Sequence, residues 1–359
     1  MNVDGKDVVG FCSNDYLGLA DHPVIKQAMI DAIALYGTGS GAAHLVNGHS
    51  IVHHQLEEEL AEFTGYPRAL LFSTGYMANL GVCQALLDKN DFVFEDRLNH
   101  ASLIDGGLIT GARFQRYLHN DVASLEKKLI QVTRSMDAET LVLTDGVFSM
   151  DGDIADLPAL TSLCEKFNSW LMVDDAHGFG TLGETGKGCL QHFALDRNDV
   201  PVYMATFGKA MGTAGAFIAG SDDLIETVIQ KARTYIYTTA MPAAIAEATR
   251  CSLKIVQNEP EHLQNLNNNI AYFKHCCIET AIPASTSQTA IQPLLLGKDE
   301  TAVKISEQLF DRGLLVTAIR PPTVPEGTSR LRITLSAKHS HDHINQLIEA
   351  LSQSFKQNQ

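Results

Sequence analysis

Asp174, His177 and Lys209 are the residues whose types and placement best suit chemistry. Asp174 closes the apolar run Leu171-Met172-Val173, and His177 follows three residues later. Lys209 lies in Thr206-Phe207-Gly208-Lys209-Ala210-Met211-Gly212, after a strand-like run from Val202 to Thr206. Apolar strand ends that deliver an acid, an imidazole and an amine suit a pyridoxal phosphate (PLP) site. A lysine amine forms a Schiff base with the cofactor aldehyde, and an aspartate keeps the pyridine nitrogen protonated so that the ring acts as an electron sink. Taken singly, each has a plainer reading: Lys209 as a surface loop lysine, His177 as a satisfied loop histidine, Asp174 and Asp175 as capping acids. The conjunction favours the site. Adjacent strand residues face opposite ways, so only one aspartate enters it, and Asp174 is the choice.

Weaker signals surround this set. Ser73-Thr74-Gly75-Tyr76-Met77-Ala78-Asn79 joins a strand to a helix. Free N–H groups at a helix N-terminus attract anions, which makes Gly75 and Tyr76 candidate phosphate binders and Thr206 a candidate hydroxyl donor; ordinary capping would give the same pattern. His100, in Asn99-His100-Ala101-Ser102, can stack on a pyridine face. Ser149 can donate to the cofactor oxygen and His177 can bond its phenolic oxygen, although each alone is more often structural. Gly37-Thr38-Gly39-Ser40-Gly41 is not G-x-G-x-x-G, and Gly186-Lys187-Gly188 lacks the Ser/Thr of a P-loop. His339, His341 and His343 alternate near a helix start, where a solvated cap is the stronger reading; no metal is expected.

Positioning these groups requires a layered α/β framework. Strands are predicted at Ala69–Ser73, Asp91–Glu95, Arg113–Tyr117, Thr140–Asp145, Trp170–Asp174, Val202–Thr206 and Gly215–Ala219. Between them, Ser50 is placed to cap a helix with Ile51, Leu56, Leu60 and Phe63 on one side; Leu125 with Leu129, and Leu160 with Leu163 and Phe167, mark two more. Strand–helix alternation with continuous apolar strands implies a mostly parallel sheet flanked by helices, with ligands beyond the strand carboxyl ends. From about residue 255 the pattern shifts to polar helices and the shorter strands Ile291–Leu296, Leu314–Ile319 and Ser329–Leu335, then a final helix carrying Ile344, Leu347, Ile348, Leu351 and Phe355. The expected organisation is an N-terminal segment 1–36, a large cofactor-binding domain 37–254 and a smaller C-terminal α+β domain 255–359.

The bulk numbers narrow the partners. A net charge of −15 argues against nucleic acid or an anionic membrane surface. No apolar run approaches the ~18 residues of a membrane span, and MNVDGKDVVG carries no secretory pattern. The seven cysteines (Cys12, Cys83, Cys164, Cys189, Cys251, Cys276 and Cys277) include no CxxC pair, which reads as reduced thiols in a cytoplasmic protein.

Together, SNDYLGL (Ser13–Leu19), LVNGHS (Leu45–Ser50), NHASL (Asn99–Leu103), GVFSMDGD (Gly146–Asp153), VDDAHG (Val173–Gly178), TFGKAMG (Thr206–Gly212) and IRPPTVPEGTSRLRITL (Ile319–Leu335) resemble the α-oxoamine synthase family of fold-type-I PLP-dependent enzymes. The resemblance runs from about Phe11 to Ala337. Its proline-rich segment points to the family's biotin-biosynthesis branch, hence to decarboxylative condensation of L-alanine with a pimeloyl thioester of coenzyme A or an acyl carrier protein. It implies that Lys209 binds the cofactor aldehyde, Asp174 pairs with the pyridinium, His177 and Ser149 contact the phenolic side, and His100 stacks on the ring. Gly75, Tyr76 and Thr206 hold the phosphate; Thr239, in YTTAMP, reaches the phosphate of a neighbouring subunit in a homodimer; Arg332 grips the amino-acid carboxylate and Thr323 lines the acyl side. Family members also carry, ahead of SNDYLGL, a helix whose arginine serves the acyl side, and that arginine has no counterpart in these residues. The alternatives are a sister condensing enzyme using glycine or another acyl-CoA, an inactive PLP-binding regulatory or scaffold protein, and, ranked below both, a hydrolase built on Ser149, which lacks G-x-S-x-G.

Overall fold

The computed structural model describes residues 1–132, 138–283 and 285–357. They fall into two compact units, one made of Leu19–Phe148 and Ile154–Asn258, the other of Met1–Gly18, Ser149–Asp153 and the residues from Glu259 on.

The larger unit is built on a seven-stranded sheet. Its strands are β1 (Arg68–Phe72), β2 (Phe92–Asp96), β3 (Arg113–Tyr117), β4 (Thr140–Asp145), β5 (Trp170–Asp174), β6 (Val202–Thr206) and β7 (Ala216–Gly220). The spatial order is β1-β7-β6-β5-β4-β2-β3, with β7 antiparallel to both neighbours and every other pair parallel. Residues such as Leu70, Val93, Leu141, Leu143, Met172, Val202, Met204 and Ile218 are almost wholly enclosed. That is why these strands read as continuous apolar runs rather than alternating ones.

Helices cover the sheet: α1 (Pro23–Tyr36), α2 (Ile51–Thr64), α3 (Gly75–Leu86), α4 (Ala101–Ile109), α5 (Val122–Gln131), α6 (Leu157–Lys166), α7 (Asp222–Lys231) and α8 (Ala243–Asn258). Side-chain oxygens of Thr74, Asp121, Asp156 and Ser221 accept first-turn amides of α3, α5, α6 and α7, which fixes where these helices begin. In α2, Leu56, Leu60 and Phe63 are buried as expected, whereas Ile51 is exposed; it stands in the first turn, off the Leu56–Leu60 face. Phe167 falls just outside α6, as its C-cap.

The smaller unit holds an antiparallel sheet of β8 (Ile291–Gly297), β9 (Thr317–Ile319) and β10 (Ser329–Thr334), ordered β8-β10-β9, with α9 (Glu261–Glu279), α10 (Asp299–Asp311) and α11 (His341–Gln357). The single strand expected over 314–319 is two pieces. Leu314–Leu315 pairs in parallel with Val9–Gly10, while Thr317–Ile319 pairs with β10. Between them the Val316 carbonyl leaves both ladders and accepts the Ser306 hydroxyl at 2.6 Å. In α11, Ile344, Leu347, Ile348 and Leu351 form the buried stripe.

Candidate functional site

Lys209 stands in the loop joining the antiparallel strands β6 and β7. Local bonds hold this loop: Phe207 N–H donates to Gly215 O at 2.9 Å, Thr213 N–H to Phe207 O at 2.9 Å, and Gly212 N–H to Lys209 O at 2.9 Å. The Ser252 hydroxyl of α8 donates to Met211 O at 2.6 Å. Gly212 has φ +64, and a Cβ there would lie 2.4 Å from the Ala20 amide nitrogen, so no larger residue fits this approach.

Asp174 ends β5, next to β6 in the sheet, with Asp174 opposite Met204. The carboxylate is buried and held by two donors, the Asn79 side-chain amide at 2.8 Å and the Ala176 N–H at 3.1 Å. Asn79 also donates to the Ser102 hydroxyl at 2.8 Å, and that hydroxyl meets His100 Nδ1 at 2.7 Å. The Ser102 amide donates to the same Nδ1 at 3.2 Å. With Nδ1 acting as acceptor, the proton of the neutral ring sits on Nε2. His100 also caps α4, and its ring is exposed.

Asp175 turns the other way, as strand alternation requires. Its carboxylate accepts the Cys189 amide at 2.7 Å and the Tyr203 hydroxyl at 2.8 Å. Burial pushes its pKa up to about 6, against the pull of those donors. A Cβ on Gly188 would lie 1.9 Å from Asp175 Oδ2. The second aspartate is therefore structural, and its partners were not legible from neighbouring sequence.

The start of α3 offers groups that suit a phosphate. Gly75 and Tyr76 occupy its first two positions, whose amides have no acceptor inside the helix. A Cβ on Gly75 would meet Thr206 Cγ2 at 2.6 Å, so the glycine permits a close approach between strand end and helix start. Thr206 Oγ1 is buried with no hydrogen-bond partner among the described residues, an orphan that a phosphate oxygen would satisfy. The Tyr76 side chain turns to Asp105, leaving its backbone amide as the relevant group. His177 follows β5 and accepts the Thr181 hydroxyl through its carbonyl at 2.7 Å. Thr239 is exposed and makes an isolated bridge with Ala43; its carbonyl accepts the Ser73 hydroxyl at 3.4 Å.

Ser149, Thr323 and Arg332 belong to the smaller unit. Arg332 is buried; its Nε donates to Ser149 O at 2.6 Å, and both terminal nitrogens reach Asn14 Oδ1 at 3.3 Å. Thr323 is exposed in the turn that follows Pro321-Pro322. The neighbouring Arg330 is committed to Asp151, which separates two arginines that the motif SRLRITL presents alike.

Three groups beside the candidate residues escaped the sequence reading: Asn79, Asp145 and Asn14. Asn79 lies one helical turn after Gly75, on the buried face of α3, and that spacing was the available signal. Asp145 ends β4 opposite Asp174 and Asn14 lies within SNDYLGL; their partners are distant in sequence.

The description "aminotransferase class I and II" belongs to the family whose model matches residues 6–351. The chain belongs to this family. Among class I and II relatives it is 59% identical, over 99% of its own length and 90% of the relative's, to 8-amino-7-oxononanoate synthase of Thioalkalivibrio sulfidiphilus. It is 56% identical, over 98% and 89%, to the enzyme of the same name from Saccharophagus degradans. Among solved structures it resembles 8-amino-7-oxononanoate synthase of Francisella tularensis, with TM-score 0.84 and 32% identity over 98% of both chains. It also resembles a serine palmitoyltransferase from S. paucimobilis with a bound PLP–myriocin aldimine, with TM-score 0.94 and 29% identity over 99% of this chain and 89% of that one. The architecture is that of the fold-type-I PLP-dependent transferases. Backbone similarity ranks the palmitoyltransferase higher while identity ranks the oxononanoate synthases higher. Backbone shape is common to enzymes of differing substrates, so identity is the better guide to chemistry.

Proposed function

We propose that this protein is a PLP-dependent C-acyltransferase that condenses L-alanine with a pimeloyl thioester to give 8-amino-7-oxononanoate, thiol and CO2, in biotin biosynthesis. The observation that carries the reading is the placement of Asp174 at the end of β5 and of Lys209 in the loop just after the adjacent strand β6, in a chain 54–59% identical to enzymes of that name. Bound PLP supplies an electron sink for negative charge at the substrate Cα.

The chain's own residues do the rest. Asp174, fixed by Asn79 and the Ala176 amide, would supply the buried anion that keeps the pyridine nitrogen protonated. Gly75, Tyr76 and Thr206 would hold the phosphate, and Thr239 would reach that of a neighbouring subunit. His177 and Ser149 would contact the phenolic side, and His100 would cover the ring. Lys209 would anchor the cofactor through its amine and, as a free amine, would take the Cα proton as general base. The Cα then bonds to the thioester carbonyl, the C–S bond breaks and the thiol leaves on coenzyme A or an acyl carrier protein. Loss of the former alanine carboxylate as CO2 and return of a proton to Cα complete the product. Arg332 orients the alanine carboxylate through its planar fork, and Thr323 lines the acyl side. The working form is a cytoplasmic homodimer, a reading supported by the exposed apolar side chains of Leu45, Val46 and Ile51 on one stretch of chain.

A matrix of amino acids against acyl thioesters tests the assignment. A single methyl group in the amino-acid pocket is worth only ~1–3 kcal/mol, so glycine should turn over at a reduced rate. L-alanine with a pimeloyl thioester should be the best pair. Faster turnover of glycine with a short acyl-CoA would move the protein to a sister activity, and no turnover of any pair by the cofactor-loaded protein would leave a binding protein.

A further inference from the structure

Asp145 is a buried carboxyl to which the reaction above gives no task. It ends β4 opposite Asp174 in a parallel ladder, so the two side chains project on the same face of the sheet. Both are at most 5% exposed. Asp145 Oδ2 accepts the His100 amide at 3.1 Å, whereas Oδ1 has no hydrogen-bond partner among the described residues. The Asp145 amide is fixed by Asn99 Oδ1 at 3.0 Å, and Asn99 is itself fixed by donating to Leu143 O at 2.9 Å. His100 is thereby tied to both strand ends: its main chain to Asp145, and its ring through Ser102 and Asn79 to Asp174.

Two desolvated carboxyls in adjacent register do not both ionise readily. Asp174 has two donors on its oxygens and Asp145 has one, so negative charge is better solvated at Asp174. The charged groups that bear on Asp145 are Asp174, Asp96 at the end of β2, and Lys209. Asp96 is already engaged by the Leu98 and Asn120 amides and by His119 Nδ1. Burial and Asp174 drive the Asp145 pKa well above the ordinary carboxyl value, against the pull of Lys209 and the His100 amide.

We propose that Asp145 is a positioning residue that works as a neutral acid: it carries the proton of the strand-end carboxyl pair, leaves the charge on Asp174, and anchors His100 at the start of α4. Neutrality has a purpose. An ionised Asp145 would add a negative charge that favours the protonated form of Lys209, and a lysine must be free of its proton to serve as nucleophile or base. The proposal rests on the PLP-enzyme reading, but its proton claim can be measured without turnover.

The test uses the cofactor-loaded protein labelled with 13C at aspartate Cγ. The parent should show a carboxyl resonance that stays protonated well above pH 6 and is missing from Asp145→Asn. If no aspartate titrates that high, or if the resonance persists in Asp145→Asn, the proton claim fails whatever the substrate proves to be. Turnover supplies the second arm. Asp145→Asn keeps a neutral acceptor for the His100 amide and should retain kcat within about tenfold, while Asp145→Ala leaves that amide unpaired and should lose about a hundredfold, with a much smaller change in KM for alanine. Equal loss in both variants, with the parent resonance seen, would show that a neutral acceptor for the His100 amide does not suffice and would overturn the positioning claim. Loss of all turnover in the parent would instead refute the functional reading while leaving the resonance result standing.

Discussion

The decisive residues act through partners, and each partner has a measurable consequence. In the proposed function Lys209 is the amine that would bind the cofactor. Hydride reduction of the PLP-loaded protein followed by peptide mapping should place a pyridoxyl mass on the Lys209 peptide; a label on another lysine would reassign the anchor. Asp174 depends on Asn79, whose amide bridges it to Ser102. Asn79→Ala removes a buried donor from a carboxylate and leaves the Ser102 hydroxyl short of a partner, which should cost ~1–3 kcal/mol of stability. It should also lower kcat more than it raises KM for alanine. Denaturant unfolding and steady-state kinetics would check this, and an unchanged kcat would demote Asn79 to a packing residue. Lys209, Asp174 and His177 could be proposed from the sequence because strand ends announce themselves as apolar runs that stop at a functional group, and the structure puts all three at or just after the ends of β5 and β6. Asn79 and Asp145 could not be, because nothing local in MANLGV or LTDG says which distant group a buried amide or acid will meet.

At the scale of elements, the sheet was almost fully readable, since strands enclosed on both faces must be apolar throughout. The antiparallel course of β7 was not read: Gly215–Ala219 looks like any other buried strand, and only its pairing with β6 and β1 reveals the reversal. That reversal matters, because it makes the Lys209 segment a loop closed at both ends rather than a strand-to-helix connection. The split at Val316 was equally hidden, since a strand that changes partners keeps its apolar character. Close approaches between elements give a sharp test. Gly188 has φ +91, and a methyl group there would collide with Asp175 Oδ2. Gly188→Ala should destabilise the protein by more than ~1 kcal/mol, from backbone strain alone and before the displaced carboxylate is counted. A melting temperature equal to the parent's would show that the segment shifts freely.

For the whole molecule, buried ionisable groups set the pH range of stability. Burial raises Glu57 and Glu95 to about 8 and Asp175 to about 6. A carboxyl raised on folding contributes fully below its unfolded value, and that contribution is lost as pH rises through the folded value. His44 and His49 are lowered by burial and by neighbouring histidines to about 3 and about 4; their contribution is complete above the ordinary histidine value and is lost as pH falls toward the folded ones. Stability should therefore decline on both flanks: from the glutamates as pH rises from about 4.5 to about 8, and from the histidines as it falls below about 6.5. Melting temperatures of the parent and Glu57→Gln across that range would check it: the variant's alkaline slope should be shallower, and equal slopes would remove Glu57 from the account. Assembly belongs to this scale too. Charged substitutions at Leu45 and Val46, now 53% and 77% exposed, should shift the protein from dimer to monomer in light scattering, and an unchanged mass would place the interface elsewhere.

One assay bears on the central claim more directly than any other. Purified protein loaded with PLP is given L-alanine and a pimeloyl thioester, and product is identified by mass with CO2 counted against it. The parent should release one CO2 for each 8-amino-7-oxononanoate, and Lys209→Ala should release neither. Product formation by Lys209→Ala at the parent's rate, or none by a parent that has bound PLP, would contradict the account.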